Sequence, residues 1–206
     1  MSTSPADASS PPVLNIANVL TVVRLLLVPV FLVVLFVDDG HSVAWRLVAA
    51  GVFAVAAITD RLDGQLARSR GLVTDFGAVA DPIADKALTG AAWIGLSLLN
   101  LMPWWVTIVI IGREVAITLL RFWVIRHGVI AASRGGKAKT FVQSLAIGLY
   151  VLPLEELLGP SATLTGLRWA VLGLALVLTV ATGVDYVVRA IKLRRAARAA
   201  VHDEVP

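Results

Sequence analysis

Cysteine is absent from all 206 residues, which excludes disulfides, thiolate metal sites and a cysteine nucleophile. Charge is scarce as well: 16% of residues are Asp, Glu, Lys or Arg against 58% hydrophobic, and the mean hydropathy is +0.84. So little charge over this length is wrong for a soluble domain and right for a polytopic membrane protein. The opening "MSTSPADASSPP" lacks a basic leader, and no A-x-A site follows the first apolar run, so no cleaved signal peptide is expected. Residues 1–12 are polar and rich in Pro and Ser, and are expected to be disordered. Internal repeats and the alternation of a membrane barrel are lacking too, which leaves helices to satisfy the backbone in lipid.

What is present is a series of six apolar runs, near 19–37, 43–60, 83–102, 104–125, 140–157 and 167–188. A helix needs about 20 residues to cross the hydrocarbon. The expected fold is therefore all-α and integral to the membrane: six transmembrane helices over 13–192, followed by a basic tail at 193–206. The fifth run is the weakest, being short and interrupted by Gln143 and Pro153.

Basic residues set the orientation. Arg61, Arg68 and Arg70, then Arg126, Arg134, Lys137 and Lys139, then Arg189, Lys192, Arg194, Arg195 and Arg198 fall in alternate connections and account for twelve of the eighteen Lys and Arg. Arg46 and Arg168 alone fall on the other side, beside acidic "DDGH" and "EELLG". The positive-inside rule then places both termini in the cytoplasm. Trp45, Trp104, Trp105 and Trp169 lie near the outer helix ends, as an aromatic belt would. The net charge of +4 is accounted for by cytoplasmic loops, with no nucleic-acid partner implied.

Against this background the acidic residues of "DRLDGQLARSRGLVTDFGAVADPIAD" stand out. Asp60 and Asp63 are three apart at the end of the second run, so both point from one helix face. Gly77, Asp81 and Asp85 follow at intervals of four on the third. A short connection would bring the two antiparallel helices, and both carboxylate pairs, together. Clustered carboxylates repel unless a cation sits among them. An all-oxygen set without cysteine or convergent histidine suits a hard divalent ion, Mg²⁺ or Mn²⁺, and four aspartates could hold two. Gly64 and Gly77 leave room for a ligand to approach the backbone, and Arg68 offers a fork for phosphate. Asp75, just after Thr74, is read as a capping or solvated residue.

Arg24, Lys86, Arg113 and Arg121 lie within apolar runs, and with Asp81, Asp85 and Glu114 they are expected to put several ionisable groups at membrane depth, where they should line a polar cavity. For Arg113 the plain alternative is an intramembrane pair with Glu114 or an aspartate. For Lys137 and Lys139 it is a loop charge that sets topology.

The pattern Asp60-x2-Asp63-Gly64-x2-Ala67-Arg68-x8-Gly77-x3-Asp81-x3-Asp85 resembles in full the signature of the CDP-alcohol phosphotransferase (CDP-alcohol phosphatidyltransferase) family. The resemblance implies a six-helix membrane enzyme, usually a homodimer, with its site at the cytoplasmic side. Such enzymes move a phosphatidyl or similar group from a CDP-linked donor to an alcohol and release CMP. Carried to matching positions, Asp60, Asp63 and Asp81 would bind two metal ions. Asp85 would add a metal contact and act as general base. Gly64 and Ala67 would border the cytidine, Arg68 would hold the donor diphosphate, and Gly77 would leave space for the nucleotide.

Three further stretches, "NIANVLTVVR", "GREVAITLLR" and "GKAKTFVQ", resemble the bacterial branch that forms phosphatidylglycerophosphate from CDP-diacylglycerol and sn-glycerol 3-phosphate. That acceptor needs a basic pocket, for which Arg113, Arg121, Lys137 and Lys139 are candidates. A synthase of phosphatidylinositol phosphate is the nearest alternative within the family. A divalent-cation transporter is the alternative from another class, though it would call for acidic residues on several helices and a path to the far side.

Overall fold

The computed structural model describes residues 15–70, 74–124 and 134–203, with the side chains at 17, 61–70, 75, 78–79, 134 and 196–203 outside that description. The described residues are helical apart from short connections: α1 (Ile16–Phe36), α2 (Val43–Arg70), α3 (Asp75–Leu98), α4 (Trp104–Val124), α5 (Arg134–Val151), the short α6 (Leu154–Leu158) and α7 (Ala162–Asp203). A 3-10 turn, Val37–Gly40, links α1 to α2, and Asp38 and Asp39 adopt positive φ of 55° and 48° there. The chain divides into two compact units, Met1–Gly95 and Leu96–Pro206.

In the first unit, Thr21, Arg24, Phe31 and Leu35 form a buried seam on α1, spaced by the threes, fours and sevens of helix packing. The facing seam on α2 is Arg46, Ala49, Phe53 and Ala56. Phe31 meets Phe53 with ring centroids 5.8 Å apart, and seven residues back along α1, seven on along α2, Arg24 meets Asp60. That register is antiparallel, as a short link demands. α3 instead runs parallel to α1: Asn18 bonds Thr74, Thr21 bonds Asp81, and a Cβ on Gly95 would lie 3.0 Å from Leu35. Its buried face is mostly small (Gly77, Ala80, Ala84, Ala92), which lets helices approach closely where lipid supplies no hydrophobic drive.

In the second unit α4 and α7 run parallel, with Arg113 beside Thr182 and Trp123 beside Arg194. α5 runs antiparallel to α7: Gln143 Nε2 donates to Thr179 Oγ1 at 2.8 Å, while Arg168 reaches the other end of α5. There its Nε and Nη2 donate to the carbonyls of Leu149 and Leu152 at 3.1 and 3.0 Å, and Nη1 pairs with Glu155 at 2.8 Å. A cation beside carbonyls at a helix C-terminus complements the helix dipole.

Among the described residues three helices are long and apolar enough to cross a membrane: Asn18–Gly40, Val43–Asp60 and Ala162–Arg195. The other three long helices carry the charges singled out above: Asp81, Asp85 and Lys86 on α3, Arg113, Glu114 and Arg121 on α4, Arg134, Lys137 and Lys139 on α5. Large apolar side chains such as Leu26, Val33, Ile108, Phe122 and Val177 stand more than 60% exposed, a surface that suits lipid rather than water.

Helix limits differ from the apolar runs where polar residues continue a helix. α2 extends through Arg70, so the whole first half of the aspartate motif is helical, and α3 begins at Asp75. α5 ends at Val151, before Pro153. α7 does not stop at residue 192 but continues to Asp203; its 42 residues span about 63 Å, twice a hydrocarbon core. Residues 193–203 of the basic tail thus extend the last helix.

Candidate functional site

In the first unit the acidic motif occupies two helices, and a third holds it. Asn15 caps α1: its Oδ1 accepts from the Asn18 backbone N–H at 3.0 Å. Thr74 occupies the same role on α3, where its Oγ1 accepts from Gly77 N–H at 3.1 Å. The two caps are joined, since Asn18 Nδ2 donates to Thr74 Oγ1 at 2.8 Å. One turn further along α1, buried Thr21 donates through Oγ1 to Asp81 Oδ1. After a further three residues, the fully buried Arg24 donates through Nη1 to Asp60 Oδ1. The result is a polar belt that ties Asp60 on α2 and Asp81 on α3 to one face of α1.

Asp60, Asp81 and Asp85 are each partly exposed, as a site open to ligand requires. Asp81 and Asp85 are four apart on one helix, so their carboxylates leave α3 from neighbouring positions. Asp63, Gly64, Ala67 and Arg68 lie on α2, and their side chains fall outside the described residues. Among the described residues no three carboxylate or imidazole groups close on a common point. The donors that are described are nonetheless all oxygen, and Arg24 brings one positive charge to Asp60, so the set is chemically suited to a hard divalent ion.

Gly77 has a more immediate neighbour than a nucleotide. A Cβ there would stand 2.8 Å from Asn18 Oδ1 and 3.4 Å from Thr74 Oγ1, so the glycine admits the Asn18 amide.

The candidate acceptor residues belong to the second unit. Arg113 Nη1 pairs with Glu114 Oε1 at 2.8 Å, and its Nη2 donates to Thr182 Oγ1 at 2.9 Å. Lys139 reaches the same Glu114 oxygen, so one carboxylate gathers two of the four cations. Gly183 makes room for this: a Cβ there would lie 3.1 Å from Arg113 Nε. Arg121 is exposed, with its guanidinium 6.0 Å from the Tyr186 ring, and Lys137 is exposed on α5. The structure thus gathers Arg113 and Lys139 but gives Arg121 and Lys137 no part in that cluster.

Sequence reasoning did not assign Asn18 or Thr21 to the site, and it left Arg24 without a partner. A signal was available: Asn15, Asn18, Thr21 and Arg24 recur every third residue at the head of an otherwise apolar run.

An apolar helical chain with part-buried ion pairs and an acidic motif borne by two successive helices defines an α-helical membrane protein with a polar site. Residues 14–181 match the model of the CDP-alcohol phosphatidyltransferase family, and the chain belongs to that family. It is 57% identical over 178 residues to a Mycobacterium tuberculosis protein named "Probable phosphatidylglycerophosphate synthase", covering 86% of this chain and 82% of that one. A Bacillus subtilis protein named CDP-diacylglycerol--glycerol-3-phosphate 3-phosphatidyltransferase is 38% identical over 84% of this chain and 93% of its own length. An Escherichia coli protein of the same name is 40% identical over 65% of this chain and 74% of its own.

Proposed function

We propose that this chain transfers the phosphatidyl group of CDP-diacylglycerol to sn-glycerol 3-phosphate, forming phosphatidylglycerophosphate and releasing CMP. The observation that carries the reading is its 57% identity, over most of both chains, to a relative named for that product. The complete aspartate motif supports it from the side of the chemistry. In this reading the six long helices all span the cell membrane, the termini and the site face the cytoplasm, and the chain works as a homodimer. One substrate then stays dissolved in lipid while the other exchanges with water, which is why a polar site belongs at a membrane face.

Asp60, Asp63, Asp81 and Asp85 would hold two divalent ions, Mg²⁺ or Mn²⁺, which would supply positive charge against the diphosphate of the donor. Arg68 grips the diphosphate, while Gly64, Ala67 and Gly77 border the nucleotide. Asp85 takes the proton from the primary hydroxyl of the acceptor. The freed oxygen forms a bond to the phosphatidyl phosphorus as the bond to the CMP oxygen breaks in line with it. Arg113, Arg121, Lys137 and Lys139 bind the phosphate the acceptor already carries.

The test is CMP release by purified protein given CDP-diacylglycerol, Mg²⁺ or Mn²⁺, and either glycerol 3-phosphate or inositol phosphate. Release with glycerol 3-phosphate, lost on chelation and restored by metal, is expected. Silence with every acceptor would remove the enzymatic reading; preference for inositol phosphate would move the chain to another branch.

A further inference from the structure

The motif that defines the family lies on α2 and α3, yet two of its carboxylates are held by α1. Arg24 is completely buried in a helix whose other seam residues beyond it, Phe31 and Leu35, are apolar. Burying a guanidinium costs several kcal/mol in its own desolvation unless a partner offsets it. Leucine would pack at that position without the cost, and Arg24 pairs with Asp60. Thr21, 1% exposed and one helical step away, spends its hydroxyl on Asp81. Valine would fill the same volume.

We propose that Thr21 and Arg24 are positioning residues for the metal-binding carboxylates. Each fixes one oxygen of one aspartate, so that the half-sites on α2 and α3 are both referred to a single rigid helix. The inference rests on the reading of Asp60 and Asp81 as metal ligands. Carboxylates from two different helices can be held in constant relation only if something else sets their rotamers, and outer hydrogen bonds do this at metal sites generally. Arg24 has a second effect: its charge beside Asp60 offsets repulsion among the carboxylates whenever ions are absent.

Thr21→Val removes the hydroxyl at nearly constant volume and without a change of charge. Titration of the purified, substrate-free protein with Mn²⁺, followed by loss of the free-ion electron paramagnetic resonance signal, should show about tenfold weaker binding. Thr21→Ser should restore it. Arg24→Lys, which keeps the charge but loses the fork, should also weaken binding. The Mg²⁺ half-saturation of CMP release should move in step, with the acceptor KM unchanged. Wild-type Mn²⁺ affinity in Thr21→Val, with only a lower melting temperature, overturns the proposal and leaves packing as the role of the hydroxyl. Should Thr21→Val not fold, wild-type affinity in Arg24→Lys overturns it equally. Absence of Mn²⁺ binding by the wild-type protein would instead bring down the metal-ligand reading, and this inference with it.

Discussion

Asn18 Oδ1 occupies the space that a side chain on Gly77 would need: a Cβ built on that glycine stands 2.8 Å from it. The same amide donates to Thr74, the cap of α3. Gly77→Ala must therefore displace a side chain that joins two helix starts. A loss of about 1–3 kcal/mol is expected, as for overpacking elsewhere. Thermal unfolding in detergent checks it, with Asn18→Ala as the second arm of a double-mutant cycle. The alanine should cost clearly less once Asn18 is shortened; an equal cost in both backgrounds would show that the contact is not the cause.

Asp85 lies on α3 one turn beyond Asp81 and is partly exposed. Asp85→Asn keeps its size and removes its capacity to accept a proton. Turnover should fall by at least 10²–10⁴-fold, on the order of a lost general base. The melting temperature and much of the donor binding should remain. Near-normal CMP release from this variant would remove Asp85 as the base.

Arg121 and Lys137 are exposed, so their removal tests acceptor binding without taking Arg113 or Lys139 from Glu114. Arg121→Ala or Lys137→Ala should raise the KM for glycerol 3-phosphate by about tenfold or more, the scale of a charged hydrogen bond. The KM for CDP-diacylglycerol should move much less. An equal rise in both would count against an acceptor-phosphate role.

Arg168 closes the end of α5 through two backbone carbonyls and Glu155. Arg168→Ala should lower stability by about 1–3 kcal/mol, because buried acceptors lose a charged donor. Kinetic constants measured well below the melting temperature should be those of the wild type. A selective change in either KM would show that this residue does more than end a helix.

Much of this molecule can be read along the chain, because hydrophobic periodicity and charge spacing are local quantities. Among the described residues the apolar runs locate the six long helices, and the three-and-four spacing of Asp60, Asp63, Asp81 and Asp85 places two carboxylate pairs on successive helices. Helix ends are less legible where a helix continues into polar residues: α2 carries the acidic motif to Arg70, and α7 runs through the basic tail. There helical propensity persists after hydropathy has fallen, and a search for apolar runs stops early.

The sequence by itself determined the membrane character, the helical class, the acidic motif and the presence of charged side chains within or beside apolar runs. Only the tertiary structure decided which groups those side chains meet: Arg24 with Asp60, Thr21 with Asp81, and Arg113 and Lys139 together on Glu114. The physical reason is that spacing along a helix defines a face, whereas a partner on another helix depends on crossing register and depth. Those are set by the sum of all side-chain contacts between helices, and no single stretch of sequence contains that sum.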